Sequence, residues 1–273
     1  MTTRAPPRIA ILGLGKAGGS LLASARAADI DVVAKAARLP GLTRTRTWLE
    51  ADVLFVAVPD DAIEHVAQAL AAKRALPKLV VHLSGAKGAS ALDALRARSP
   101  SCALGTFHPL AALDGTSPIP ARTFIALEGT SRFARSALSS LAKRMGLSPG
   151  FVAEEDRLRY HTGAVVAGNL AVALLHEGVQ LMVRSGVPEK RARESLARLL
   201  ASTAHNAIAL PLSQALSGPV ARGDIDTLTR HVALLDGEDV ALASLYRTLS
   251  RVLIDDVSAH DASVRRRLRT SIK

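Results

Sequence analysis

Cysteine occurs once in 273 residues, at Cys102. An internal disulfide framework and a multi-cysteine zinc site are thereby excluded, no metal is expected, and such thiol usage suits a reducing cytoplasm. Aromatic residues make up only 3% of the chain. With so few rings to stack bases, single-stranded nucleic acid is not an expected partner. Long hydrophobic runs are also missing. "TGAVVAGNLAVALL" is short, carries Asn169 and is bracketed by His161 and His176, so no membrane association is expected. The N-terminal "MTTRAPPRIAIL" has sparse basic residues before a brief apolar run and does not read as a signal peptide.

Acidic residues are the scarcer sign, 24 against 35 Lys and Arg, which gives a net charge of +11. The excess is uneven: residues 1–150 hold 19 basic and 10 acidic side chains, the remainder 16 and 14. A basic surface suits a small polyanion such as a dinucleotide, and it equally describes an ordinary solvated exterior. The "RRRLR" run at 265–269 reads as a helix end or tail rather than a nucleic-acid arm.

What is present is 48% hydrophobic residues, enough for two domains in a chain of this length. Up to residue 150, short apolar runs alternate with helical patterns. Expected strands are 8–12, 31–35, 52–58, 79–84, 103–107 and 123–127, with helices over 61–73, 89–98 and 131–145. Several of these runs are continuous in Val, Ile and Leu, as in a parallel sheet covered on both faces. The fold class is therefore α/β: a doubly wound parallel Rossmann sheet over 1–150, followed by an all-helical domain over 151–273. That second part opens with one long helix, 156–184, apolar on most sides and so suited to burial in a bundle or a dimer. Further helices are expected at 189–209, 224–235 and 238–256.

"RIAILGLGKAGGS" places Gly13, Gly15 and Gly18 directly after a strand and at the start of a helix. The G-x-G-x-x-G spacing gives a tight turn, close approach of backbone to pyrophosphate, and close helix–strand packing. Amides at the helix N-terminus then meet the phosphates. Leu14, Lys16 and Ala17 lie in the same turn. The second strand of such units usually ends in an acid that holds the ribose of NAD. Here Lys35 and Arg38 stand there, and cations attract a 2′-phosphate, so NADP(H) is expected over NAD(H); the other reading is two solvated charges. Val58 and Pro59 are expected beside the cofactor, and Asp61 with Glu64 reads as a capping box.

Ligands of such sheets sit outside the carboxyl ends of the strands. Two ends carry chemistry: Ser84 in "VVHLSGAKG", and His108 in "LGTFHPLAAL", held extended by Pro109. A histidine there can act as acid or base near neutral pH, or it can simply bond a local carbonyl. His82, inside its strand, reads as structural. In "YHTGAVVAGN", His161 and Asn169 share a broad helix face and need polar partners, supplied by substrate, by cofactor or by another helix. In "LSGPVARGD", Arg222 either grips a substrate carboxylate or pairs with Asp224 as that residue caps a helix.

Together, GLGKAGGS, VAVPDDAI, HLSGA, LGTFHPL, YHTGAVVAGN and SGPVARGD resemble the Rossmann-like proteins with a helical C-terminal domain of unknown function 2520. That group is similar to pyrroline-5-carboxylate reductase, ketopantoate reductase, prephenate dehydrogenase and 6-phosphogluconate dehydrogenase. The resemblance implies nicotinamide chemistry and a homodimer formed through the helical domain. The serine and histidine–proline motifs of prephenate dehydrogenase look like Ser84 and His108–Pro109. The lysine-x-x-x-asparagine motif of 3-hydroxyacid dehydrogenases is absent, with Val165 four residues before Asn169. The expected activity is NADP(H)-dependent oxidoreduction of a small carboxylated carbonyl, imine or alcohol. His108 serves as acid/base, Ser84 orients substrate or nicotinamide, and His161 completes the site. The rival is an NADP(H) sensor without turnover.

Overall fold

The computed structural model describes residues 7–273, so the expectation for the extreme N-terminus falls largely outside the described residues. Seven strands form one sheet in the order β2-β1-β3-β4-β5-β6-β7. They are β1 Ile9–Leu12, β2 Val32–Ala36, β3 Val53–Val56, β4 Leu79–His82, β5 Ala103–Pro109, β6 Phe124–Gly129 and β7 Ser148–Phe151. In β1, β3 and β4 every residue is buried, which explains why the sequence shows runs there rather than alternation. Ile9, Ile11, Val53, Phe55, Val81 and Phe107 face one layer with Leu21 and Leu138. Ala10, Leu12, Leu54, Val56, Val80 and Leu104 face the other, with Ile63 and Leu70. Helices α1 (Lys16–Ala27), α2 (Ile63–Ala71) and α3 (Arg132–Arg144) supply most of that cover. Over 89–98 the expected helix is a 3-10 turn followed by a short α-helix. Cys102 precedes β5, buried, with its thiol 3.4 Å from the Pro77 carbonyl and pushed up to about 11 by that burial.

Two features depart from an all-parallel sheet. β6 runs antiparallel to β5, pairing Gly105 with Gly129 and Pro109 with Ile125. The connection between them holds Pro118, Pro120 and an Asp114–Gly115 turn, and no crossover helix to bring the chain back parallel. That connection is tied to α1 instead: the Gly115 amide donates to Ser20 Oγ at 3.2 Å and the Ile119 amide to Ser24 Oγ at 2.8 Å. The second departure is β7, which falls where the sequence suggested a domain boundary. "SPGF" carries Pro149 and Gly150, tolerable because β7 is an edge strand.

The chain divides into two compact units, Met1–Asn169 and Leu170–Lys273, rather than at residue 150. Helix α4, Arg157–Ala167, falls in the first unit because Arg157 is fully buried among the strand ends. The expected single helix over 156–184 is interrupted at Gly168, and α5 resumes as Asn169–Arg184. Taken together, Glu154–Arg184 is long and apolar enough, by length and composition alone, to cross a membrane, longer than the sequence run suggested. Its Arg157 nevertheless forms an ion pair with Glu128 of β6.

In the second unit follow α6 (Glu189–Ala209), α7 (Ile225–Glu238), α8 (Val240–Val252) and α9 (Ala262–Ser271). Val220, Leu228, Val232, Ile254, Leu268 and Ile272 make its core. The basic run at 265–269 is the body of α9, not a tail: Leu268 is buried and Arg269 meets Asp255 at 2.6 Å. Helices α5 and α6 leave Leu170, Val172, Leu199 and Ile208 exposed.

Removing one partner of a buried ion pair strands the other. Arg157→Ala is expected to lower unfolding free energy by roughly 3–5 kcal/mol, read by urea denaturation. A second expectation concerns His82, whose pKa burial lowers to about 4. Between the ordinary imidazole range and about 4, the unfolded chain binds a proton that folded His82 refuses, so stability falls as pH drops through that window. Melting temperatures across pH check this, and His82→Gln is expected to flatten the decline.

Candidate functional site

The chain order reverses at β1, which lies between β2 and β3, and the carboxyl ends of β1 and β3 are where sheets of this order bind ligands. Gly13 sits there at φ +94°, and a Cβ on it would lie 2.1 Å from the Ala57 carbonyl oxygen. A Cβ on Gly18 would lie 1.9 Å from the Gly13 oxygen. Gly15 differs: nothing comes within 4 Å of where its Cβ would be. Two glycines are thus demanded by packing and the third faces open space. Helix α1 begins at Lys16 with no side-chain cap and no acid in its first turn, so its amides are free for an anion. Leu14 and Lys16 are exposed and Ala17 is half-buried in that turn. Gly19, which the motif does not include, meets Gly115: a Cβ there would lie 2.1 Å from the Gly115 oxygen. That contact seats the β5–β6 connection on α1.

Lys35, within β2, and Arg38, just beyond it, are both exposed. Val58 is half-buried and Pro59 exposed as the chain leaves β3. The expected capping box does not form. Residues Asp60–Ala62 make a short turn without a side-chain cap, and Glu64 instead pairs with Lys87 Nζ at 2.7 Å. The lysine beyond β4 outcompetes a backbone amide for that carboxylate.

At the end of β4, His82 is fully buried. Its Nδ1 accepts from the Ser84 amide at 3.2 Å, so its Nε2 carries the proton and donates to the Gly88 carbonyl at 2.8 Å. Ser84 is equally occupied. Its hydroxyl donates to Asp60 Oδ2 at 2.8 Å and accepts from the amides of Ala86 and Lys87 at 3.2 and 3.0 Å. A hydroxyl has one donor and two acceptor positions, and all three are filled. Ser84 therefore shapes the turn and has no valence left with which to orient a substrate, contrary to the expectation from sequence.

His108 lies inside β5, two residues past the last pairing with β4, Thr106 with His82. Its Nδ1 is 2.8 Å from the Tyr160 hydroxyl. Burial lowers its pKa to about 4, helped by repulsion from His161 and Arg157. His161 stands edge-on to it, ring centroids 6.1 Å apart, with Nδ1 buried and without a hydrogen-bond partner. The structure therefore brings His108 and His161 together, with Tyr160 between chain segments that the sequence keeps 52 residues apart.

Arg157 is the group that sequence reasoning missed. Its Nε bonds Glu128 at 3.1 Å; its two terminal nitrogens reach the Ser84 carbonyl at 3.3 Å, the Ala126 carbonyl at 3.5 Å and the Thr106 hydroxyl. Burial holds Glu128 above the usual carboxylate range and pulls the guanidinium down. Glu128 also accepts from the Ala89 amide at 3.1 Å. Glu154, nearby, accepts from Ser90 and occupies the room left by Gly88, whose Cβ would fall 2.3 Å from its carboxyl carbon. No local signal marks it: the arginine beside "YH" is Arg159, which stays exposed.

Asn169 is exposed at the start of α5, past the Gly168 interruption, so the single helical face it was expected to share with His161 is broken. Arg222, in the second unit, lies 4.0 Å from Asp224, which caps α7 through the Thr227 amide. The pairing reading of that motif is the one the structure takes.

No curated protein matches the chain. Among solved structures it is similar in fold to a candidate NADP oxidoreductase from Bacteroides fragilis, at 18% identity, 91% of this chain and 98% of that one, TM-score 0.68. A protein from Thermotoga maritima matches at 21% identity over 89% and 97%, TM-score 0.66. A pyrroline-5-carboxylate reductase from Coxiella burnetii matches at 15% identity over 98% and 100%, TM-score 0.61. Beside this Rossmann-type fold, residues 123–253 match the family described as Domain of unknown function (DUF2520).

Proposed function

We propose that the protein is an NADP(H)-dependent oxidoreductase acting on a small carboxylated carbonyl, imine or alcohol compound. The observation that carries this reading is the open, uncapped turn at Gly15, where packing at Gly13 and Gly18 clears space before the amides of α1. That cradle fits a pyrophosphate. Gly13 to Gly18 would hold the diphosphate, Val58 and Pro59 would flank the cofactor, and Lys35 with Arg38 would meet a 2′-phosphate. No carboxylate ends β2 to repel it. When bound, the nicotinamide supplies or accepts the hydride.

His108 is the residue assigned to the reacting group. The sequence suggested an acid/base titrating near neutrality, but burial holds this imidazole neutral there. A neutral imidazole still polarises a carbonyl by hydrogen bonding when Nε2 carries its proton. Tyr160 engages Nδ1, which leaves Nε2 as the nitrogen for the reacting group. The exposed apolar side chains of α5 and α6 support a homodimer, since patches of that kind on a monomer favour association.

Gly15→Ala is the sharpest test of the cradle: with open space around it, the variant is expected to melt like the parent and to lose NADPH affinity in calorimetry. NADPH is expected to bind the parent more tightly than NADH, and Lys35→Glu with Arg38→Glu to erase that preference. His108→Ala is expected to cut turnover on the order of 100-fold or more while sparing NADPH affinity. With the parent, turnover on 2-oxo acids or cyclic imines should be flat through neutral pH and change only as acid approaches about 4, where His108 gains its proton and becomes a stronger donor. Binding of NADPH with no turnover across such a panel would instead mark a sensor.

A further inference from the structure

The sheet edge opposite the glycine turn carries a hollow that the proposed reaction does not use. Its volume is about 610 Å³, inside the range of roughly 300–1,000 Å³ that small-molecule sites occupy. One side is made where strands begin: Pro7 before β1, Asp52 and Val53 at the start of β3, and Lys78 before β4. The other side is a face of α3. Ala134, Leu138 and Leu141 of that helix are buried in the core. Phe133, Ser136, Ser140 and Arg144, three or four residues apart, form an adjoining stripe that lines the hollow, and Arg132 stands at its start.

The charge in this hollow is one-sided. Lys78, Arg132 and Arg144 are exposed, and none has an ion-pair partner among the described residues. Arg144 reaches a neutral acceptor, the Asp29 carbonyl, at 3.4 Å. The carboxylate in the lining, Asp52, has Oδ2 taken by the Arg8 amide at 2.9 Å, so Oδ1 is the oxygen left for a ligand. The cations are also spread out. Arg132 and Arg144 lie at the two ends of α3, about 18 Å apart along its axis. With Arg144 anchored at Asp29, the two cannot close on a single phosphate group. They suit the two ends of one elongated ligand, and the hydroxyls of Ser136 and Ser140 lie between them.

We propose that this hollow is a second ligand site, for a hydroxylated small molecule with a phosphate at each end, of the sugar-bisphosphate class. The forked donors of each guanidinium match phosphate oxygens, and Lys78 adds a third positive charge. Sugar hydroxyls both donate and accept, so they satisfy Ser136, Ser140 and Asp52 Oδ1 together. The Phe133 ring and Val53 supply apolar cover for the carbon skeleton. A four-residue strand such as β1 puts roughly 13 Å between this edge and the glycine turn, so the two places are filled independently. The site does not depend on the oxidoreductase reading.

Calorimetry on the full chain with fructose 1,6-bisphosphate, fructose 6-phosphate and inorganic phosphate provides the test. The bisphosphate is expected to bind at least about tenfold more tightly than the monophosphate, which leaves one arginine unmet. Its affinity is expected to be the same with and without NADPH, and the same in Gly15→Ala. Arg132→Glu and Arg144→Glu are each expected to reduce bisphosphate binding to the monophosphate level. Arg266→Glu, which reverses an exposed charge on α9, is expected to change nothing. Should either reversal melt early, Arg132→Gln and Arg144→Gln read the same loss. Absence of heat with the bisphosphate overturns the proposal, as does equal affinity for the two sugars. A loss in Arg266→Glu as large as in the other two overturns it by marking general attraction to a basic surface. Displacement by NADPH, or loss in Gly15→Ala, overturns it by placing the ligand at the glycine turn.

Discussion

One buried guanidinium sets where the polar groups of the first unit can stand. Arg157 bonds the chain leaving β4, the Thr106 hydroxyl on β5, and both a carbonyl and a carboxylate on β6. Three segments of different origin are thereby held to one planar group. The start of α4 has to follow, and Tyr160 and His161, three and four residues on, come to lie on the side of that helix that meets His108. An apolar plug of similar volume could fill the same hole and cost no more in stability. It would not fix the direction of four separate acceptors. Rotational register, more than adhesion, is what the ion pair contributes.

The glycine turn and the histidines occupy the same carboxyl edge of the sheet, on β1 and β5, with β3 and β4 between them. Three inter-strand steps of about 4.8 Å separate those strands, so a ligand that touches both places must be extended. Each end is built differently. The turn near β1 offers backbone amides cleared of side chains, suited to an anion of any identity. The end near β5 offers ring nitrogens in fixed orientation, suited to one geometry.

Local chemistry was legible in the sequence and distant pairing was not. The glycine spacing announces its turn because each requirement acts within a few residues, and the buried strands announce themselves by their apolar runs. β7 escaped because Pro149 and Gly150 mask an edge strand as a loop. The capping box at Asp61 and Glu64 was misread because Lys87, 23 residues on, takes the second carboxylate. Ser84 looked available because its hydroxyl's three partners are visible only once the turn is folded. Arg157 and Glu128 lie 29 residues apart and carry no motif; nothing in "DRLRY" distinguishes the arginine that goes inside from Arg159, which stays exposed.

Burial of Cys102 has a practical corollary. The native chain presents no accessible thiol, and the one it has is held far from its reactive anionic form. A maleimide dye would therefore mark whichever surface position is given a new cysteine, and no other. Pairs of such labels within either compact unit would turn that unit into its own ruler for changes in its internal distances.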